Sequence, residues 1–353
     1  MIMEDANPIA IAHVELRRYD IPLVRPLTIA GRRLASRTGI VISLTDEQGR
    51  TAHGEAAPLQ GLHTETLRDV LLELRSIKIS KRCTTWTIMD AAQQMSSSSR
   101  TALEMALFDL LRRRDHTFHQ GARIPVSALV TAEAANVCDE VESLLAAGWS
   151  SIKIKVARRP VSEDVTTIWR LREQIAGRAM IRLDANRLWS LNDAITFCRQ
   201  IGPEGIAYVE EPLSDTTSYP AFHRRTDMPV ALDETLVQLG IEGAEKWQGA
   251  SAFILKPSLL GGLAWTGEYI AAALKKGVTP VISSAFESDL SLRAYALFAA
   301  MLGCIETPLG LDTLKWFRQP LLDEGWQVTN GCVDIDALRN VQPKLNDRLL
   351  QKV

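Results

Sequence analysis

Lys155, Asp184, Glu210, Asp233 and Lys256 each close a short apolar stretch, and they follow one another at intervals of 29, 26, 23 and 23 residues. Each interval is long enough for one strand, one helix and two loops. A chain that repeats strand, loop and helix is driven toward a parallel sheet, because each helical crossover returns the next strand in the same direction. A charge placed once per repeat, always at the strand's C-terminal end, gathers all five charges on one rim. In a closed β/α barrel that rim carries the chemistry.

The strands of this repeat read as Pro125–Leu129, Ser151–Lys155, Met180–Asp184, Ile206–Glu210, Val230–Asp233, Ala252–Lys256 and Pro280–Ser283. Amphipathic helices lie between them, for example Glu163–Ile175 and Gly262–Lys276. Most helices stop at a glycine (Gly148, Gly177, Gly202, Gly249, Gly277, Gly303), the residue best suited to close a helix. Seven or eight units over 123–312 predict a (β/α)7–8 TIM-type barrel. A doubly wound sheet is the alternative, but no G-x-G-x-x-G follows the first strand.

Residues 1–122 follow another pattern. Alternating runs at Ile9–Tyr19, Thr38–Thr45 and Thr51–Ala57 read as strands, the last two joined by the turn Asp46-Glu47-Gln48-Gly49. Helical periodicity follows at Glu65–Arg75, Trp86–Met95 and Arg100–Arg114, the last preceded by a serine run that supplies a cap. This predicts an α+β capping domain. Residues 313–353, with Trp316 and Trp326, lack the barrel period and are expected to return to the capping domain and complete it.

With 353 residues, 46% of them apolar, the chain can bury a full core. Forty basic residues against 42 acidic ones leave a net charge of −2, which argues against a nucleic-acid or membrane-surface partner. The basic clusters Arg32-Arg33, Arg112-Arg113-Arg114, Arg158-Arg159 and Arg224-Arg225 read as solvated helix ends or loops. Five scattered cysteines without a C-x-x-C pair support neither a zinc site nor a disulfide framework. Glu4 and Asp5 stand where a signal peptide would carry lysines, and no apolar run reaches membrane-spanning length. A cytoplasmic protein is the expectation. No feature bears on monomer against homo-oligomer.

Taken singly, Asp184 and Asp233 could be helix caps and Lys155 a side chain reaching out of the barrel. Together, three carboxylates on successive strands repel one another unless a cation lies between them. An all-oxygen ligand set suits Mg²⁺ or a similar divalent cation. Spacing alone does not distinguish Glu210 from Glu211, since barrel strands are buried on both faces. Lys153 and Lys155, two apart on one strand, share a face, and neighbouring ammonium groups beside a dication would lower one another's pKa. Lys256, four units later, stands across the ring. A small carboxylate substrate held between the lysines could lose its α proton to form an enediolate stabilised by the metal.

The strings SIKIKV, IRLDANRLW, YVEEPL, ALDETL, FILKPSLLGGL and VISSAFESDLSL resemble the enolase superfamily. Two lysines, with no histidine at a strand end, resemble its muconate-lactonizing subgroup. Within that subgroup the chain is most similar to the o-succinylbenzoate synthase family, through IPL with RRLASRTGIV, GEAAPL and GLHTETL early, and GLDTL and VDIDAL late. The resemblance spans nearly the whole chain. It implies Lys155 as the acid/base of a K-x-K pair, Lys256 as its opposite number, and Asp184, Glu210 and Asp233 as Mg²⁺ ligands. Lys153 would tune its neighbour and Arg182 would support the acidic cluster. Ser283 and Gly310 resemble positions that hold a succinyl carboxylate, and Gly261 stands in a Gly-Gly pair that is either supporting or only a turn. His53 and Gln60 depart from the pattern, and both fall in the capping domain.

The implied reaction is Mg²⁺-dependent dehydration of 2-succinyl-6-hydroxy-2,4-cyclohexadiene-1-carboxylate to o-succinylbenzoate, a step of menaquinone biosynthesis. The alternatives are an N-acylamino acid racemase or dipeptide epimerase, and a muconate cycloisomerase. The epimerase is disfavoured because Gly310-Leu311-Asp312 stands where a D-x-D is expected. A non-catalytic binding relative would have lost at least one of the five charges, and all are present.

Overall fold

The computed structural model describes residues 9–29, 31–77, 83–112, 121–130 and 136–353. Its N-terminal strands are β1 (Ile11–Ile29), β2 (Arg32–Asp46) and β3 (Thr51–Ala56), an antiparallel meander followed by α1 (Leu67–Arg75), α2 (Thr85–Ala92) and α3 (Ser97–Arg112). The period-two alternation of β2 splits its side chains between two cores. Ile40, Ile42 and Leu44 join Val70 and Leu74 of α1 and Leu103 and Leu107 of α3, whereas Val41 faces the other way, into the barrel-side core.

The first two strands run further than the apolar alternation suggests, to Ile29 and back from Arg32. This outer arm holds few buried side chains and is carried by main-chain pairing, with a register irregularity between Pro22 and Leu27. Pro22 and Pro26 within it conceal the strand, since proline cannot donate to a ladder. The third helix begins at Ser97, three residues ahead of the expected start. Its first turn is capped in trans: Glu73 accepts from Ser96 N at 3.2 Å and Ser96 Oγ at 2.6 Å, and Glu65 accepts from Ser98 N at 2.8 Å. Acidic groups there also suit the helix dipole. Arg113 and Arg114 lie outside the described residues.

The expected strand at Pro125–Leu129 is two short ones, β4 (Arg123–Pro125) and β5 (Ala128–Val130). The chain then alternates α4 (Val137–Ala146), β6 (Ser151–Lys155), α5 (Val161–Ile175), β7 (Met180–Asp184), α6 (Leu191–Ile201), β8 (Ile206–Glu210), α7 (Tyr219–His223), β9 (Val230–Leu232) and α8 (Glu234–Lys246). It continues through β10 (Ala252–Leu255), α9 (Pro257–Leu260), α10 (Leu263–Lys275), β11 (Thr279–Ile282) and α11 (Asp289–Met301). The seven strands from β5 to β11 form one parallel sheet in sequential order, which excludes the doubly wound alternative. Residues 309 and 310 close it, bridging Val126 on one side and Ser283 on the other. The result is a TIM-type barrel whose eighth strand is reduced to two residues.

The remaining elements are β12 (Leu322–Glu324), β13 (Cys332–Asp334), α12 (Ile335–Asn340), β14 (Lys344–Leu345) and β15 (Leu350–Lys352). Strand β13 pairs with β4, which is why the apolar run there divides, and β15 adds an edge to the N-terminal sheet beside β1. All five cysteines are free thiols. Among the described residues no helix is long and apolar enough to cross a membrane.

Buried polar groups join the N-terminal sheet to the barrel. Glu55 of β3 accepts from Ser288 N (3.0 Å), Ser291 N (3.2 Å) and both serine hydroxyls at the start of α11, and from the Tyr19 hydroxyl. The residue before Glu55 must be small. A Cβ on Gly54 would lie 2.7 Å from the Ala102 carbonyl carbon of α3 and collide with its oxygen. Gly54→Ala is therefore expected to destabilise the protein by about 1–3 kcal/mol or more, read as a lower urea midpoint in chemical denaturation.

Candidate active site

The period of two along each barrel strand sorts its residues between helices and lumen. Ile152, Ile154, Ile181, Leu183, Val209, Leu232, Phe253 and Leu255 pack outward into the main core. Between them, Lys153 and Lys155, Arg182 and Asp184, Tyr208 and Glu210, then Asp233, Ile254 and Lys256, line a cavity of about 110 Å³ inside the barrel. Strand register sets Lys155 beside Asp184 and Asp184 beside Glu210 at one level. This answers the choice between neighbouring acids geometrically: Glu210 shares the inner face with Tyr208, while Glu211 is turned away. A larger cavity of about 840 Å³ lies elsewhere, along α11 and the segment 317–341, and none of the five spaced charges reaches it.

Within the small cavity each carboxylate is matched to an ammonium group. Lys153 Nζ donates to Glu210 at 2.6 and 2.8 Å and lies 2.8 Å from Asp184 Oδ2. Lys155 Nζ donates to Asp184 Oδ2 at 2.6 Å and to Asn186 Oδ1 at 2.7 Å. Lys256 pairs with Asp233. Asp184, Glu210 and Asp233 are buried, with only 1%, 1% and 2% of their surface exposed. Carboxylates so deeply buried demand positive charge nearby.

The electrostatics follow from that crowding. Burial disfavours ionised Asp184, but Lys153 and Lys155 outweigh it and hold its carboxyl well below the usual range. Burial, with the Asp184 charge beside it, pushes Glu210 up. Burial likewise works against protonated Lys153, yet Asp184 and Glu210 hold its ammonium well above the ordinary lysine value. Lys256 is also held up, burial being outweighed by Asp233 and Glu234.

Among the described residues, no three acidic, histidine or cysteine side chains stand together as a group that could hold a metal ion in this side-chain arrangement. The donor types nevertheless suit a hard divalent cation: three carboxylates from the ends of successive strands, whose ionic partners among the described residues are lysines.

The other expected site residues separate into two groups. Ser283 and Gly310 line the cavity, with Ser283 Oγ donating to the Gly310 carbonyl at 3.1 Å. Arg182 lies deeper; it donates to the Pro308 carbonyl at 2.8 Å and stacks 5.2 Å from the Tyr208 ring centroid. Gly261 is outside the cavity lining and closes α9 in a left-handed conformation with φ of 94°, the bland turn reading of the Gly-Gly pair. His53 bonds Ser43 and Gln60 bonds Arg32, both away from the cavity. Sequence reasoning passed over Asn186, Tyr208, Phe286 and Asp312, all of which line it. Asn186 could have been found, since it stands two residues past Asp184. Phe286 carries no such signal, because its position depends on the Arg37 guanidinium bonding its carbonyl at 2.8 Å from β2.

Residues 136–339 match the family model described as "Enolase C-terminal domain-like", and residues 11–110 match "MenC, N-terminal domain". The chain is 30% identical to o-succinylbenzoate synthase of Vibrio cholerae over 336 residues, 93% of this chain and 96% of the relative. It is 31% identical to o-succinylbenzoate synthase of an Enterobacter species over 332 residues, 92% and 98% of the two chains. In fold it is similar to a dipeptide epimerase from Cytophaga hutchinsonii, solved with Mg and the dipeptide D-Ala-L-Val. That match has a TM-score of 0.82 and 21% identity, and covers 98% of this chain and 99% of the other.

The Ser283–Gly310 approach provides a direct check on the cavity wall. A Cβ on Gly310 would lie 2.9 Å from Ser283 Cβ and closer still to its hydroxyl. Gly310→Ala is expected to cost about 1–3 kcal/mol of stability in urea denaturation. Adding Ser283→Gly should return part of that loss, because it removes the atoms in collision.

Proposed function

The chain belongs to the o-succinylbenzoate synthase family of enolase-like enzymes, and from that membership we propose that it is a divalent-cation-dependent dehydratase. Its substrate would be 2-succinyl-6-hydroxy-2,4-cyclohexadiene-1-carboxylate and its product o-succinylbenzoate, within menaquinone biosynthesis. The observation that carries this reading is the placement of Lys155 and Lys256. They project into one cavity from opposite ends of a run of strands, with β7, β8 and β9 and the carboxylates Asp184, Glu210 and Asp233 between them.

Asp184, Glu210 and Asp233 would hold the cation, Mg²⁺ being the natural choice for three carboxylates. When bound, that ion supplies positive charge to the substrate carboxylate and so acidifies the adjacent C–H bond. Lys155 removes the α proton from the ring, and the electron pair passes into the carboxylate. The pair then returns to the ring as the C–O bond to the hydroxyl breaks. Protonated Lys155 gives its proton to the departing oxygen, so water leaves and the ring becomes aromatic. Asn186, bonded to Lys155 Nζ, orients that amine. Lys256, across the cavity, offers an ammonium charge to the opposite ring face. Lys153 keeps Asp184 and Glu210 from repelling each other, and Ser283 with Gly310 borders the space for the succinyl arm.

The reaction can be followed as loss of the diene absorbance on mixing purified protein, substrate and MgCl₂. Turnover should stop on adding EDTA and return with excess Mg²⁺. Lys155→Ala and Lys256→Ala, assayed at a temperature where each variant is shown by circular dichroism to be folded, should each lower kcat by about 10²–10⁴-fold. Full activity in Lys155→Ala would overturn the assignment of the base. Absence of dehydration, alongside rapid α-proton exchange in N-succinyl amino acids, would replace the dehydratase by a racemase.

A further inference from the structure

Asp233 occupies the N-cap position of α8, yet its side chain makes no hydrogen bond to that helix. An aspartate in that position ordinarily accepts from the second or third amide of its own helix. Here Glu211 has taken over the task from the neighbouring strand end. Its Oε1 accepts from Asp233 N at 2.8 Å and from Thr235 N at 2.7 Å. Its Oε2 accepts from Thr235 Oγ1 at 2.8 Å, Arg187 Nε at 3.0 Å and the Tyr219 hydroxyl at 3.4 Å. The residue is fully buried and holds a left-handed backbone, φ 42°, which a side chain other than glycine adopts only at a cost of about 1–3 kcal/mol. So many bonds to one carboxylate over-determine its position.

With the helix end satisfied by Glu211, the Asp233 carboxylate is released to point into the barrel, where it lines the cavity and pairs with Lys256. We infer that Glu211 is a positioning residue for this site: by capping α8 from outside, it keeps Asp233 available to the lumen. The inference rests on the metal reading above, in which Asp233 is one of three ligands. If Glu211 is shortened or removed, the amides at the start of α8 lose their acceptor. The Asp233 carboxylate is the nearest replacement, and it turns back onto its own helix and away from Lys256.

Titration calorimetry with Mg²⁺ alone tests this on the full chain, with circular dichroism to verify folding. Glu211→Ala should weaken Mg²⁺ binding by about tenfold or more, the usual effect of losing a group that orients a metal ligand. Two further variants separate capping from charge and serve if the alanine variant fails to fold. Glu211→Gln keeps the length and one oxygen for both amides, and should stay within about threefold of the parent, whereas Glu211→Asp keeps the charge but not the reach, and should weaken binding about tenfold. The reverse order, aspartate binding well and glutamine poorly, would overturn the inference, as would unchanged affinity in a folded Glu211→Ala. Failure of the parent protein to bind Mg²⁺ would instead overturn the metal reading itself, and this assignment with it.

Discussion

Buried negative charge has to be compensated throughout this protein, and the barrel lumen shows how. Asp184, Glu210 and Asp233 stand on successive strands at one end of the barrel, almost wholly out of water. Each would cost several kcal/mol if left alone there. Lys153, Lys155 and Lys256 supply the opposite charge from the same inner surface, their side chains 18%, 24% and 14% exposed toward the cavity.

The same problem is solved differently outside the lumen, by presenting buried acids to helix N-termini, where unpaired amides and the helix dipole favour them. Glu55 does so at α11 and Glu211 at α8. Glu104 of α3 accepts from Ala264 N at 2.9 Å at the start of α10. There a Cβ on Gly262 would meet the Glu104 carboxyl carbon at 2.8 Å, so glycine is what allows the approach. Two of these three acids, Glu55 and Glu104, belong to N-terminal elements and cap the barrel helices α11 and α10, so there capping and docking are one interaction. Arg37 adds the converse, a buried cation serving the carbonyls of Ala57, Pro58 and Phe286. Through Phe286 the docked domain reaches the cavity wall.

Much of this was legible in the chain. The alternation of strands and helices located β6 to β11 within a residue or two, because apolar residues facing the helices recur at every second position and the charge at each strand's end stands out. Errors fell where partners are distant in sequence. The outer arm of β1 and β2 is held by main-chain pairing and shows no hydrophobic rhythm, and β4 separated from β5 only because β13 pairs with it. Asp233 does stand at a helix N-cap, but its side chain does not cap; Glu211 accepts from the amides there instead.

Local periodicity and composition are enough to specify the parallel order of strands, the end of each strand that bears charge, and the residue types available there. Which of two adjacent acids, Glu210 or Glu211, turns inward and which caps a helix emerges only once the strands are assembled. The same holds for Gly261, which is a turn, and Gly310, which borders the cavity. Those choices depend on closure of the sheet, which brings 310 against 283 and 211 against 235. No local pattern records which distant atoms a closed ring will bring within hydrogen-bonding distance.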